Sequence, residues 1–182
     1  LPMKTLRIAV ALALGARRAA AEPAAPGKSG AARDVTFLSV SDTHYDAFEN
    51  EDRNGKDRET VQQMNAIQEA TWPKALGGDA VPRPRGVVGL GDMIDDGDRK
   101  LAQGVQGPRQ WAAFVADFGL DGTDGLLKFP VFEGWGNHDG PPAGKEKNGF
   151  SVQAEMRKRN AIRKEKGLIK NLGPSGLHYS WD

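Results

Sequence analysis

Three short clusters hold the residue types capable of chemistry: Asp42-Thr43-His44, Gly91-Asp92-Met93-Ile94-Asp95-Asp96-Gly97 and Gly136-Asn137-His138-Asp139. Together they offer carboxylates, imidazoles and a side-chain amide. That mixed oxygen and nitrogen set suits manganese, iron or zinc better than calcium or a thiolate-seeking metal. The chain contains no cysteine, which excludes disulfide scaffolds, zinc fingers, iron–sulfur clusters and thiol nucleophiles. Histidine occurs at three positions, His44, His138 and His178, and two of these fall in the clusters. Any metal site must therefore lean on carboxylates and amides.

Each cluster follows a short apolar run. Residues 34–41 (DVTFLSVS), 86–90 (GVVGL) and 129–135 read as buried strands. Residues 42–57 and 78–85 read as polar loops. Helical spacing of Val61, Met64, Ile67, Ala70 and Thr71 predicts a helix over 58–72, closed by Pro73. Trp111, Phe114, Val115 and Phe118 predict another over 108–118. A third spans 151–166, with Ser151 as N-cap and Gly167 as C-terminal stop. Strand and helix alternate three times, which argues for an α/β sheet with crossover helices. In such sheets functional groups gather beyond the carboxyl ends of the strands, so three loops distant in sequence meet in space. Gly91 and Gly136 allow the sharp turns that aim the following side chains at one point.

In this order, D-x-H, G-D-x-x-D-x-G and G-N-H-D resemble the first three motifs of the calcineurin-like metallophosphoesterases, over about residues 35–182. The resemblance implies an α/β fold with a β-sandwich-type core and flanking helices. It implies two divalent or trivalent metal ions, with manganese, iron or zinc the candidates. Asp42 and His44 would bind the first ion, Asp92 would bridge both, and Asn137 would bind the second. His138 would stand beside the scissile phosphate as acid or charge stabiliser. Asp139 would orient His138, and Asp95 would support the ligands from behind. The implied activity is hydrolysis of phosphate mono- or diesters, small-molecule or lipid, by a metal-bound hydroxide. Two metals lower the pKa of a shared water and clamp the phosphate oxygens for in-line attack. A histidine can pass a proton to the leaving group near neutral pH. Purple acid phosphatases, which carry tyrosine in G-D-x-x-Y, are disfavoured because Asp95 stands there. Family members also supply later histidines, including a terminal G-H-x-H, whereas only His178 follows here. The 34–182 segment therefore reads as a metallophosphoesterase domain incomplete at its C-terminus. The alternative is a catalytically impaired fragment that binds metal or phosphate.

The remaining features bound the reading. The 182 residues suit one domain, and a net charge of +1 argues against a globally basic nucleic-acid binder. Leu1-Pro2 reads as read-through before Met3. Lys4 and Arg7, an apolar run over 8–16 and Ala19-Ala20-Ala21 read as a signal peptide cleaved near Ala21. Export to the periplasm or exterior follows. Residues 22–33 read as a flexible linker. No run approaches the roughly 18 apolar residues that span a bilayer. The 145–170 stretch carries nine lysines and arginines against three glutamates and reads as a solvated helix face. Gly89-Leu90-Gly91 lacks the third glycine of a dinucleotide loop. The Asn50–Gly55 stretch lacks the ligands of a calcium loop and reads as a polar rim of the site. His178 reads as structural, Trp72 and Trp111 as core, and 177–182 as the start of a strand.

Overall fold

The protein is described by a computed structural model covering residues 35–46, 51–97, 100–140 and 149–181. The expected signal peptide and linker lie outside the described residues. The fold is mixed α/β. Strands β1 (Leu38–Val40), β2 (Val87–Gly89) and β5 (Val131–Glu133) form a parallel sheet in the order β1-β2-β5. Helix α1 (Glu51–Asn65) lies between β1 and β2 in sequence, and α2 (Gly107–Phe118) between β2 and β5. Helix α3 (Val152–Glu165) follows. A two-stranded antiparallel hairpin of β3 (Lys100–Leu101) and β4 (Gly104–Val105) precedes α2. Its strands are too short to show a periodicity, and the sequence pattern did not predict them. No helix among the described residues is long and apolar enough to cross a membrane.

The register fixes where the loops begin. Val40 pairs with Gly89, and Gly89 with Glu133, so the three strands end in step. Alternation along β1 sends Leu38 and Val40 into the core. There they meet Val87, Val131, Met93, Ile94 and the α2 stripe of Trp111, Phe114 and Phe118. Phe114 stacks on Phe118 at 5.0 Å between ring centroids, and Tyr45 stands edge-on to both. Each fully buried Phe contributes roughly 2–3 kcal/mol relative to exposure. The strong 3.6-residue pattern of α2 is thus honoured, with Pro108 in its first turn and Gly119 as its C-cap. Ser151 caps α3 as expected, its Oγ accepting from the Ala154 amide at 3.2 Å.

Helix α1 departs from the expected 58–72. It begins inside the stretch read as loop, ends at Asn65, and passes into a 3₁₀ turn over Ile67–Glu69. Its buried positions explain why. Val61 and Met64 enter the core, but so do Asn54, Asp57 and Thr60. Asn54 brackets the backbone of Asp46: its Oδ1 accepts from the Asp46 amide and its Nδ2 donates to the Asp46 carbonyl. A helix that buries polar groups against a loop shows no apolar stripe. Downstream, Ala70 and Thr71 are exposed, Thr71 bridges Ala80, and Trp72 is only half-buried, whereas Trp111 is core.

Two other expectations change. Of the basic residues of α3, Arg159 and Arg163 are buried, and both pair with Glu133 at the end of β5. The C-terminal stretch through Trp181 forms no strand. It lies on the second face of the sheet, where Trp181 stacks on Phe132 at 4.7 Å with rings 6° apart. An open cavity of about 640 Å³ lies beside it, lined by Phe132, Trp135, Met156, Leu177, Tyr179 and other residues. None of Asp42, His44, Asp92 or His138 lines it.

Candidate metal centre

Past the strand ends the first two loops continue side by side. The Asp42 amide donates to the Gly91 carbonyl, His44 to Asp92, and Tyr45 to Met93, at 3.2, 3.0 and 3.0 Å. Thr43 adds a side-chain bond from its Oγ1 to the Met93 carbonyl at 2.8 Å. The third loop joins through Asp92, whose Oδ1 accepts from the His138 amide at 2.8 Å. This close approach depends on glycine. A Cβ at Gly136 would overlap the Asp92 carboxylate and amide, and one at Gly97 would lie 2.8 Å from the Asp139 carbonyl oxygen. Gly91 sits at φ 115°, as the turn reading required. Gly136 sits at φ −120°, open to any residue, so close packing and not backbone freedom demands glycine there.

Among the described residues, three non-glycine residues adopt a left-handed backbone: Asp42 at φ 58°, His44 at 49° and Asp92 at 53°. Asp and His tolerate this region better than most residues, but it still costs roughly 1–2 kcal/mol each. All three belong to the clusters singled out by residue type. Such strain persists only where the surrounding structure holds it.

The side chains converge. One ligating atom from each of His44, Asp92 and His138 lies within 4.8 Å of the other two. Asp42 stands at the rim, its carboxylate 62% exposed and its Oδ1 3.7 Å from His44 Nε2. The two imidazoles meet edge-to-face at 4.5 Å between centroids. Asn137 is exposed, in the 3₁₀ turn Asn137–Asp139 that carries His138. His178 lies away from the cluster, its Nδ1 3.0 Å from Ser175 Oγ.

Asp95 and Asp139 support this group in different ways. Asp139 is 1% exposed, and its carboxylate accepts three backbone amides: Met93 at 2.8 Å, Ile94 at 3.1 Å and Gly136 at 2.8 Å. It staples the second loop to the third. Burial pushes its pKa up to about 6 against the pull of those amides. The His138 ring is oriented by the Asp95 carbonyl, 2.7 Å from Nδ1, a contact the sequence reading had given to Asp139. A carbonyl only accepts, so neutral His138 carries its proton on Nδ1 and presents Nε2 as a lone pair.

The Asp95 carboxylate faces His44. Its Oδ1 lies 3.5 Å from His44 Nδ1, too long for a well-formed hydrogen bond, and that buried Nδ1 has no other partner. The Asp95 carboxylate beside the ring, opposed by burial, raises the His44 pKa. The Asp95 carboxyl is held down to about 2, first by His44 and then by Arg53. Arg53 is the participant that sequence reasoning missed. It lies in the first turn of α1, ahead of the part that the spacing of Val61 and Met64 predicts, and a lone arginine among charged residues carries no signal of its own.

The donor set fits a divalent transition metal: two imidazoles and a carboxylate at ligating separation, with a further carboxylate at the rim. The carbonyl behind His138 and the carboxylate behind His44 are the supports that metal-ligating histidines ordinarily have. Compared with known protein families, with characterised proteins and with solved structures, the chain matches none.

Proposed function

We propose that the protein is a metal-dependent phosphoesterase of the calcineurin-like kind, hydrolysing phosphate mono- or diesters at the centre built by Asp42, His44, Asp92 and His138. The observation that carries this reading is the coincidence of strain and ligand chemistry. The left-handed non-glycine residues of the described chain are Asp42, His44 and Asp92, and all three are ligand-type residues of the first two motifs. On this reading the parallel sheet is one layer of a β-sandwich-type core, and the N-terminal basic and apolar segment directs export.

Asp42, His44, Asp92 and Asn137 would hold the metal ions, with His138 close enough to join them. Bound metal supplies Lewis-acid polarisation of the phosphoryl oxygens and an acidified water. The chain's own residues do the rest. Asp139 fixes the spacing of the second and third loops. Neutral His138 offers Nε2 as a ligand or a proton acceptor, and its imidazolium can protonate a departing alkoxide.

The test is calorimetric titration of the chain with Mn²⁺, followed by assay on aryl phosphate mono- and diesters. Saturable binding and Mn²⁺-dependent hydrolysis, both lost in Asp92→Asn, are expected, with hydrolysis also lost in His138→Ala. Absence of Mn²⁺ binding, or hydrolysis that survives both substitutions, would overturn the reading.

A further inference from the structure

We propose that Arg53 is a positioning residue that sets the orientation of His44 in the candidate centre, directly and through the Asp95 carboxylate. The proposal rests on the metal-centre reading for its functional consequence, but its geometry stands separately. The first turns of α1 carry a run of charged residues with no apolar stripe, yet they lie over the loop that follows β1. From there Arg53 Nη1 reaches two groups at once. It donates to Asp95 Oδ1 at 2.5 Å and to the His44 main-chain carbonyl at 3.3 Å. A single guanidinium nitrogen thus ties α1 to the loops after β1 and β2.

The Asp95 carboxylate passes that constraint on to His44. The oxygen held by Arg53 is the one that faces His44 Nδ1 at 3.5 Å. That separation is marginal, and His44 Nδ1 has no alternative partner. A modest rotation of the Asp95 carboxylate therefore either completes or abolishes the contact. Arg53 is the cation bonded to that carboxylate and decides which. With Nδ1 turned toward Asp95, His44 presents Nε2 on the side of Asp42, 3.7 Å from its Oδ1. His138 is held differently, by the Asp95 main-chain carbonyl at 2.7 Å from Nδ1, while the Asp95 amide is bonded to the Tyr45 carbonyl. Turning the Asp95 carboxylate therefore disturbs His44 and leaves His138 in place.

The Arg53 side chain is 37% exposed, so its ion pair with Asp95 contributes little to stability. Its removal should leave the fold intact while loosening the centre. Supports of this kind typically tune metal affinity by roughly 10- to 100-fold.

The experiment compares wild type, Arg53→Met and Arg53→Lys in the full chain, with two readouts. In metal-free protein, ¹⁵N NMR of the imidazoles reports the tautomer and hydrogen bonding of His44 and His138. In Arg53→Met the Nδ1 signal of His44 is expected to shift while that of His138 stays in place, with Arg53→Lys close to wild type. Calorimetric titration with Mn²⁺ is expected to show affinity weakened about 10-fold or more in Arg53→Met, and largely recovered in Arg53→Lys. An unchanged His44 signal in Arg53→Met would overturn the proposal. So would Mn²⁺ affinity within about threefold of wild type. If the wild-type chain binds no Mn²⁺, the metal-centre reading falls, and the metal-free spectra alone decide the role of Arg53.

Discussion

Asp57 gives the sharpest prediction about stability. It sits on α1, 3% exposed, with its Oδ2 buried and without a hydrogen-bond partner. Burial is the first cause lifting its pKa from the ordinary 3.8 to about 7. Asp117, across on α2, pushes it further up, while Arg53, His44 and Arg58 pull it back. The folded chain therefore keeps a proton that the unfolded chain releases between these two values. In that window stability falls as pH rises, by about 1.4 kcal/mol per pH unit. The contribution is complete below the unfolded value, and it is gone once pH passes the folded value. The shift from 3.8 to about 7 corresponds to about 4 kcal/mol in all, of which about 3 kcal/mol disappears between about pH 5 and 8. Asp57→Asn cannot ionise and should lose none of this. Urea unfolding of wild type and variant at the two pH values isolates the group, because His44 and Asp139 titrate in both proteins. The stability of Asp57→Asn relative to wild type should improve by about 2–4 kcal/mol from about pH 5 to 8. A relative stability that differs by less than about 1 kcal/mol between the two pH values would show that the carboxylate is solvated or paired, and the reasoning would fail.

Two further substitutions probe packing. Gly136→Ala places a methyl group on the Asp92 carboxylate and amide, so the second and third loops must separate. Mn²⁺ affinity should fall by roughly 10-fold or more while the melt stays cooperative, and an affinity equal to wild type would refute the close-approach argument. Glu133→Gln strands Arg159 and Arg163 with no counter-charge, since both are buried against that one carboxylate. Removing one partner of such a group costs about 3–5 kcal/mol, and a urea-determined loss below about 1 kcal/mol would mean that water reaches the pair.

The parts legible in sequence were those where local pattern and tertiary role agree. The strands β1, β2 and β5 are short apolar runs. Helix α2 carries Trp111, Phe114 and Phe118 at helical spacing, and all three are buried. Ser151 announces α3, and its Oγ makes the expected cap. The clusters after the strands were legible by residue type, and the in-step strand ends bring His44, Asp92 and His138 together. What escaped was polar burial. Asn54, Asp57 and Thr60 look like surface residues, and so do Arg159 and Arg163 within a basic stretch. All five are buried, and three of them are received by partners on other elements: Asn54 by the Asp46 backbone, Arg159 and Arg163 by Glu133. A one-dimensional pattern cannot reveal a partner that only the fold supplies.

The same distinction explains the division of labour around the site. The candidate ligands lie in loops, where a left-handed backbone is tolerated and imposes a cost. A loop by itself would relax from it, so the strain must be held by bonds to other parts of the fold. Asp139 meets that need from below, with three amide bonds in a nearly water-free position, where each bond is stronger than at the surface. Asn54 and Arg53 meet it from the side, holding the backbone at Asp46 and His44 to α1. The polar face of α1 is therefore the reason that Asp42 and His44 can remain strained. A helix with a conventional apolar stripe at these positions would bury more hydrocarbon, but it would leave the first loop free to abandon the geometry that its ligands require.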